Sequence, residues 1–280
     1  MARSIALALV SLPAVDDSTI ATFAETGIVK LRNVFSAEDA ERMRDVVWRD
    51  LFHSEGVRRD DRSTWRRASP RTKLARAKRD PIFHAMFGDE LRAVADALLG
   101  AGWVASAAFG NLLVDFPDTE RWHLPGRDGF WHSDPTNYPK AEPLPAIRVF
   151  VVFGDVPTGG GGTLLVTGSG RMIARFVEQH PDVAHSHKAD VTWHQEIPWL
   201  RELTLSELPS RRSRLGDEAR RRRFMEVATD VEGIPAQVVE ACGQPGDVYV
   251  CHPWMIHCKP PNASDRPRFL RAPTLVRTAW

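Results

Sequence analysis

Cysteine is scarce in this 280-residue chain: Cys242, Cys251 and Cys258 are an odd number with no CxxC pair. That excludes a disulfide framework and fits a reducing compartment, so a cytoplasmic location is expected. Net charge is nearly absent as well, at +1, which removes the electrostatic case for a nucleic-acid or membrane partner. No apolar run is long enough to span a bilayer. Met1 to Val10 superficially resembles a short signal peptide, yet it has one basic residue and no small-x-small cleavage site before Asp16-Asp17. A lead-in strand is the expectation there. Internal repeats and low-complexity stretches are also missing. What is present is a globular composition, 43% apolar and 26% charged, over a length that can bury a sizeable core. A single domain over residues 1–280 is expected.

Residues 17–100 read as mainly helical. Thr19 to Ala24 begins an amphipathic helix that stops at Gly27. Ile28–Leu31 is a short strand signal. Ser36-Ala-Glu-Asp39 resembles a capping box opening a helix to about Leu51, and Pro81–Leu99 predicts another, ending at Gly100. Residues 53–81, polar and Arg-rich, read as an ordered loop or lid. From residue 101 short β-rich runs take over: Trp103–Phe109, Asn111–Phe116, Ile147–Phe153, Thr163–Thr167, Gln237–Ala241, Asp247–Cys251 and Phe269–Val276. Such spacing predicts an antiparallel sandwich or barrel, interrupted by a helical insertion over about 171–233.

Phe130-Trp-His-Ser-Asp134 carries the sharpest chemical signal. Side chains at i and i+2 of an extended segment point the same way, so His132 and Asp134 can present an imidazole and a carboxylate to one point. A metal centre with open positions needs one more imidazole, and two histidines with one carboxylate are the facial set of non-haem Fe(II) oxygenases. Alone, an HxD pair is weak. The second half lies in Gly246–Cys258, which reads as one strand running to His257. A hairpin turning at Asn262 and Ala263 would then set His257 opposite Arg268. A metal-binding histidine beside an arginine makes sense if a dicarboxylate chelates the metal and meets the guanidinium fork.

These segments resemble the phytanoyl-CoA dioxygenase-like branch of the Fe(II)/2-oxoglutarate oxygenases. The resemblance rests on Trp131–Asp134, Arg148–Asp155, Gly159–Ser169, Pro245–Val248, His252-Pro253 and His257 through Asn262 to Arg268, in the family's order. It implies a mainly β fold, a double-stranded β-helix (jelly-roll) with flanking helices. It also implies that His132, Asp134 and His257 ligate iron, and that Arg268, eleven residues past His257, binds the far carboxylate of 2-oxoglutarate. O2 is the other co-substrate it implies, and a small molecule is the expected substrate. Because Asp134 is retained, hydroxylation, desaturation or ring closure is implied rather than halogenation. Three departures stand out: Lys259 where a serine is frequent, Gly168-Ser-Gly170 for GSH, and glycine near 161 for an asparagine.

Other residues carry competing readings. Phe150 either packs against the cofactor or is plain core, and Asn111 or Asp115 is expected to hydrogen-bond cofactor or substrate. His252, five residues before His257, reads as structural because strand parity points it away. His123 is either a loop residue or a substrate contact. Ala184-His-Ser-His187 reads as solvated loop, and Arg211–Arg214 with Arg220–Arg223 as a solvated helical face. Gly159–Gly162 lacks the Lys-Ser/Thr of a phosphate loop and reads as a tight turn. Trp131 and Trp254 read as pocket wall or core. Two further functions compete with the oxygenase: a cofactor-independent metalloenzyme of cupin type, and a catalytically silent jelly-roll that binds a partner.

Overall fold

A computed structural model describes the backbone of residues 9–10 and the segments 15–65, 69–71, 73–105, 110–119, 121–126, 129–134, 143–180, 196–205 and 215–278. The chain opens with strand β1 (Leu9–Val10) and helix α1 (Asp17–Thr26). Asp16 caps α1 by accepting from the Thr19 amide, and Gly27 ends it at φ 73°, a left-handed conformation that glycine adopts without a Cβ penalty. Strand β2 (Ile28–Leu31) follows, then α2 (Ala37–Glu55), where Ser36 accepts from the Asp39 amide as the capping box predicts. The helix runs four residues past Leu51.

The long helix expected over Pro81–Leu99 is instead two pieces. Pro81–Met86 is a 3-10 segment, and α3 covers Asp89–Leu99. The break falls at Gly88, the N-cap of α3, where a Cβ would lie 2.1 Å from the Val34 carbonyl oxygen, so the backbone passes too close for any side chain. Asp89 and Glu90 then start a fresh helix with negative charge at its N-terminus.

The β-rich half forms two facing sheets. The larger contains β3 (Val104–Ala105), β4 (Asn111–Asp115), β5 (Ala146–Val152), β10 (Val248–Cys251), β12 (Arg268–Ala272) and β13 (Thr274–Val276), and it recruits β1 and β2. Its main path is β1-β2-β10-β5-β12-β4, with β13 pairing β3 and β5. The smaller sheet runs β11-β6-β9, from β6 (Leu164–Val166), β9 (Val238–Glu240) and β11 (His257–Cys258). A separate hairpin joins β7 (Thr229–Val231) to β8 (Ile234–Ala236).

Two-residue alternation along β5 sorts the layers. Ile147, Val149, Val151 and Phe153 pack outward against α2 and α3 in a core with Met43, Val47 and Leu91. Phe150 and Val152 face inward to Leu165, Tyr249, Leu270 and Ala272. The small sheet's outer face is covered by α4 (Ser169–Gln179), α5 (Pro198–Thr204) and a turn at Arg222–Glu226 that follows α6 (Asp217–Arg221), through Ile173, Leu200, Leu203 and Phe224. The fold is thus a jelly-roll flanked by helices.

Two expectations about its second half are corrected. Gly246–His257 is not one strand: β10 stops at Cys251, a turn spans 252–256, and β11 belongs to the opposite sheet. Consequently β11 and β12 are not a hairpin, because β11 pairs β6 whereas β12 pairs β4 and β5. The reason is Asn262, which donates to the Asp115 and Arg266 carbonyls, accepts from Ser264, and takes Asp118 on its own amide. Those bonds tie the 259–267 connection to β4 and carry the chain between sheets.

Candidate metal centre

His132 and His257 are brought together by main chain. The His132 amide donates to the His257 carbonyl at 3.0 Å and the His257 amide returns a bond of 2.8 Å, an isolated antiparallel bridge. Side chains of such a pair share a face, and the two ring centroids are 4.2 Å apart. Asp134, two residues on, joins them: one ligand atom from each of the three residues lies within 4.8 Å of the others. Among the described residues this is the one His/Cys/Asp/Glu group with metal-holding geometry.

Both imidazoles are oriented for ligation. His132 Nδ1 sits 2.9 Å from the Phe130 carbonyl and His257 Nδ1 2.9 Å from that of Met255. A carbonyl can only accept, so Nδ1 carries the proton and Nε2 keeps its lone pair. Burial, and the His132 ring beside it, hold the His257 pKa well below the ordinary histidine range, which keeps that lone pair free at neutral pH. Phe150 meets the His257 ring edge-on at 5.5 Å. Phe130 adopts φ 46°, unusual for a bulky residue, and the strain accompanies the placement of its carbonyl under His132. Its ring is 78% exposed beside the centre. The segment leading into β11 is held by Ser169, whose Oγ accepts from the Ile256 amide at 2.9 Å and donates to Val166 O at 2.7 Å.

Arg268 is buried on the face of β12 that looks between the sheets, directly across from Asp115 on β4. Its guanidinium donates to the Asp115 carboxylate and to the Gly161 carbonyl. Nε has no hydrogen-bond partner among the described residues. Burial lowers its pKa to about 9, and with Asp115 alongside it remains a cation at neutral pH. Lys259 and the Ser69 hydroxyl also reach Asp115, and Lys259 donates to Ser69 at 2.7 Å. Two cations therefore share the Asp115 carboxylate, with Asp118 also acting on Lys259.

Asn111 is placed elsewhere. It is exposed, pairs with Ala272, and accepts from Lys78 Nζ at 2.6 Å, four residues along β4 from the Arg268 partner. His123 lines a cavity of about 820 Å³ with Trp122, Arg221, Glu240 and Cys242, and no triad residue lines it. His252 stacks on Phe23 and accepts from the Trp254 amide. His252 lies outside β10 and β11, in the 252–256 turn, and that turn rather than strand parity separates it from the centre. A Cβ at Gly170 would fall 2.5 Å from the His252 ring, which explains the glycine of Gly168-Ser-Gly170. Trp131 and Trp254 are buried in the small sheet's outer core. The glycine turn is itself a carboxylate cradle: Glu240 accepts from the Gly159 and Gly162 amides at 2.9 and 3.1 Å. Arg220 is not solvated, as expected from its charge run, but buried, donating to the Leu203 and Pro125 carbonyls. It satisfies the C-terminal end of α5. The Ala184–His187 pair and Arg211–Arg214 lie outside the described residues.

Arg148 was legible as part of a motif but not as a site residue. Its Nε is 2.9 Å from Asp134 Oδ2. An inward-facing arginine on a strand otherwise made of aliphatic and aromatic residues was the available signal.

A jelly-roll with two imidazoles and a carboxylate converging on its inner face defines the class of 2-His-1-carboxylate oxidoreductases. The chain belongs to the phytanoyl-CoA dioxygenase (PhyH) family of iron- and 2-oxoglutarate-dependent enzymes, whose model matches residues 23–270. Solved structures share the fold at low identity. The non-haem α-ketoglutarate-dependent carbocyclase SnoK from nogalamycin biosynthesis is 15% identical, covering 94% of this chain and 84% of its own, with TM-score 0.52. The epimerase SnoN of the same biosynthesis is 18% identical over 93% and 82%, TM-score 0.52. HygX from Streptomyces hygroscopicus, solved with nickel and 2-oxoglutarate, is 16% identical over 96% and 89%, TM-score 0.52. No curated protein matches in sequence. Among the described residues no helix is long and apolar enough to cross a membrane.

Proposed function

We propose that the chain is an Fe(II)/2-oxoglutarate-dependent dioxygenase that hydroxylates, desaturates or cyclises a small molecule, releasing succinate and CO2. The observation that carries this reading is the triad: ligand atoms within 4.8 Å, both histidines with Nδ1 already committed to backbone carbonyls. His132, Asp134 and His257 would hold the metal, leaving positions on one side open. Arg268, with an unpartnered Nε, would hold the far carboxylate of 2-oxoglutarate, and Phe150 would form a wall beside it. Iron with 2-oxoglutarate and O2 supplies an oxidant able to remove hydrogen from unactivated carbon. The protein's residues bind and orient these groups and exclude water. The solved neighbours described as a carbocyclase and an epimerase support keeping outcomes beside hydroxylation open. Free cysteines at 242, 251 and 258 support a cytoplasmic setting.

Anaerobic addition of Fe(II) and 2-oxoglutarate tests the reading. A weak visible charge-transfer band is expected, and His257→Ala is expected to abolish it. A protein that takes up metal but shows no band with 2-oxoglutarate would be a cofactor-independent metalloenzyme instead; one that takes up neither would be a silent jelly-roll.

A further inference from the structure

We propose that Arg148 is the positioning residue for Asp134, holding its carboxylate so that one oxygen serves the metal and the other is spoken for. This rests on the triad being a metal site. The three presumed ligands are not equally restrained. His132 and His257 each have a backbone carbonyl fixing Nδ1, at 2.9 Å. Among the described residues Asp134 has no such backbone tie, and the charged side chain paired with it is Arg148.

Arg148 is built to stay where it is. It sits on β5, which is bonded along one edge by β10 and along the other by β12 and β13. Its NH1 donates to Thr274 Oγ1 at 2.9 Å on β13, and its guanidinium lies over the Phe150 ring at 5.7 Å. Phe150 in turn meets His257. Thus a rigid strand carries a cation to the carboxylate and a ring to the imidazole. The Nε to Oδ2 approach of 2.9 Å is close but out of hydrogen-bonding line, and neither atom has another hydrogen-bond partner among the described residues. Two buried polar atoms side by side, each unsatisfied, are made good by a small rotation of the carboxylate. Partners that orient metal ligands in this way are worth 10–100-fold in metal affinity as a rule.

A cation so near a metal also repels it. The two effects have opposite signs, so metal affinity decides between them. Co(II) binding is measured by anaerobic calorimetry and visible absorption in wild type, Arg148→Met, Arg148→Lys and Asp134→Ala, with the double variant Asp134→Ala/Arg148→Met. Arg148→Met is expected to weaken Co(II) binding about 10–100-fold, Arg148→Lys less, and Arg148→Met is expected to cost nothing further once Asp134 is gone. Binding that is unchanged or tighter in Arg148→Met overturns the proposal, as does an equal loss in the Asp134→Ala background. Arg148→Gln, which keeps a donor and most of the volume, must bind better than Arg148→Met at equal thermal stability of the metal-free proteins; otherwise the effect is one of folding and the proposal fails. Wild type that binds no Co(II) overturns the metal site itself, and with it this inference.

Discussion

The two ends of the candidate site are built on opposite hydrogen-bonding plans. At the triad, lone pairs outnumber donors: two imidazoles with Nε2 left for a ligand and a carboxylate converge within 4.8 Å, and among the described residues Arg148 is the cation paired with them. At Arg268, the imbalance is reversed, since Arg268 and Lys259 share Asp115. The first end has lone pairs to spare and the second has a donor to spare, the Arg268 Nε. A divalent cation and a dicarboxylate chelating it would take up both together. The comparison also shows that the arginine is not idle when alone, because Asp115 keeps a buried guanidinium paired.

Asp115→Asn should break this symmetry most. Removing one partner of a buried pair costs about 3–5 kcal/mol, so the thermal midpoint should fall by several degrees. 2-Oxoglutarate should restore it more than in wild type, and its dissociation constant should drop; a midpoint unmoved by the substitution would mean that the pair contributes nothing. Arg268→Met, with the metal in place, should raise the 2-oxoglutarate dissociation constant on the order of 10–100-fold, about 1.4–2.7 kcal/mol, while Co(II) affinity stays within a few-fold. Parallel loss of both would show that the two ends are not separable. His252 separates burial from ligation. Burial lowers its pKa to about 4 from 6.5, so below pH 6.5 the unfolded chain takes up a proton that the folded chain refuses. Its stability contribution is therefore complete above pH 6.5 and lost as pH falls toward 4, by up to about 3 kcal/mol. In His252→Gln, urea unfolding of the metal-free protein across that window should show a shallower slope. Lys259→Met should have the smallest effect: a half-exposed ion pair is worth under about 1 kcal/mol, so 2-oxoglutarate affinity should weaken a few-fold and lose part of its salt dependence.

Local chemistry was readable where it is decided locally. Ser36, Gly27 and Gly100 delimit helices through bonds within a few residues, and the β-rich run Ile147–Phe153 announces a strand, whereas α1 starts two residues before Thr19 on its Asp16 cap. The HxD pair needs only an extended segment, so His132 with Asp134 was legible as well. The long helix at 81–99 failed at Gly88, whose backbone packs against that of Val34, a distant neighbour. The hairpin between His257 and Arg268 failed similarly: strand order is a property of sheet pairing, and the bonds of Asn262 to β4 cannot be seen in the turn residues that flank it.

The sequence by itself determined the residue types, the caps, the strand periodicity and the order of the motifs, because each depends on spacing along one chain. Only the tertiary structure decided that His257 reaches His132 through an isolated backbone bridge, that Asp115 already answers Arg268, and that Arg148 stands against Asp134. Those three pairings join residues more than a dozen positions apart or on different sheets. Their geometry is set by how the sheets fold over one another, a long-range outcome that no local pattern encodes.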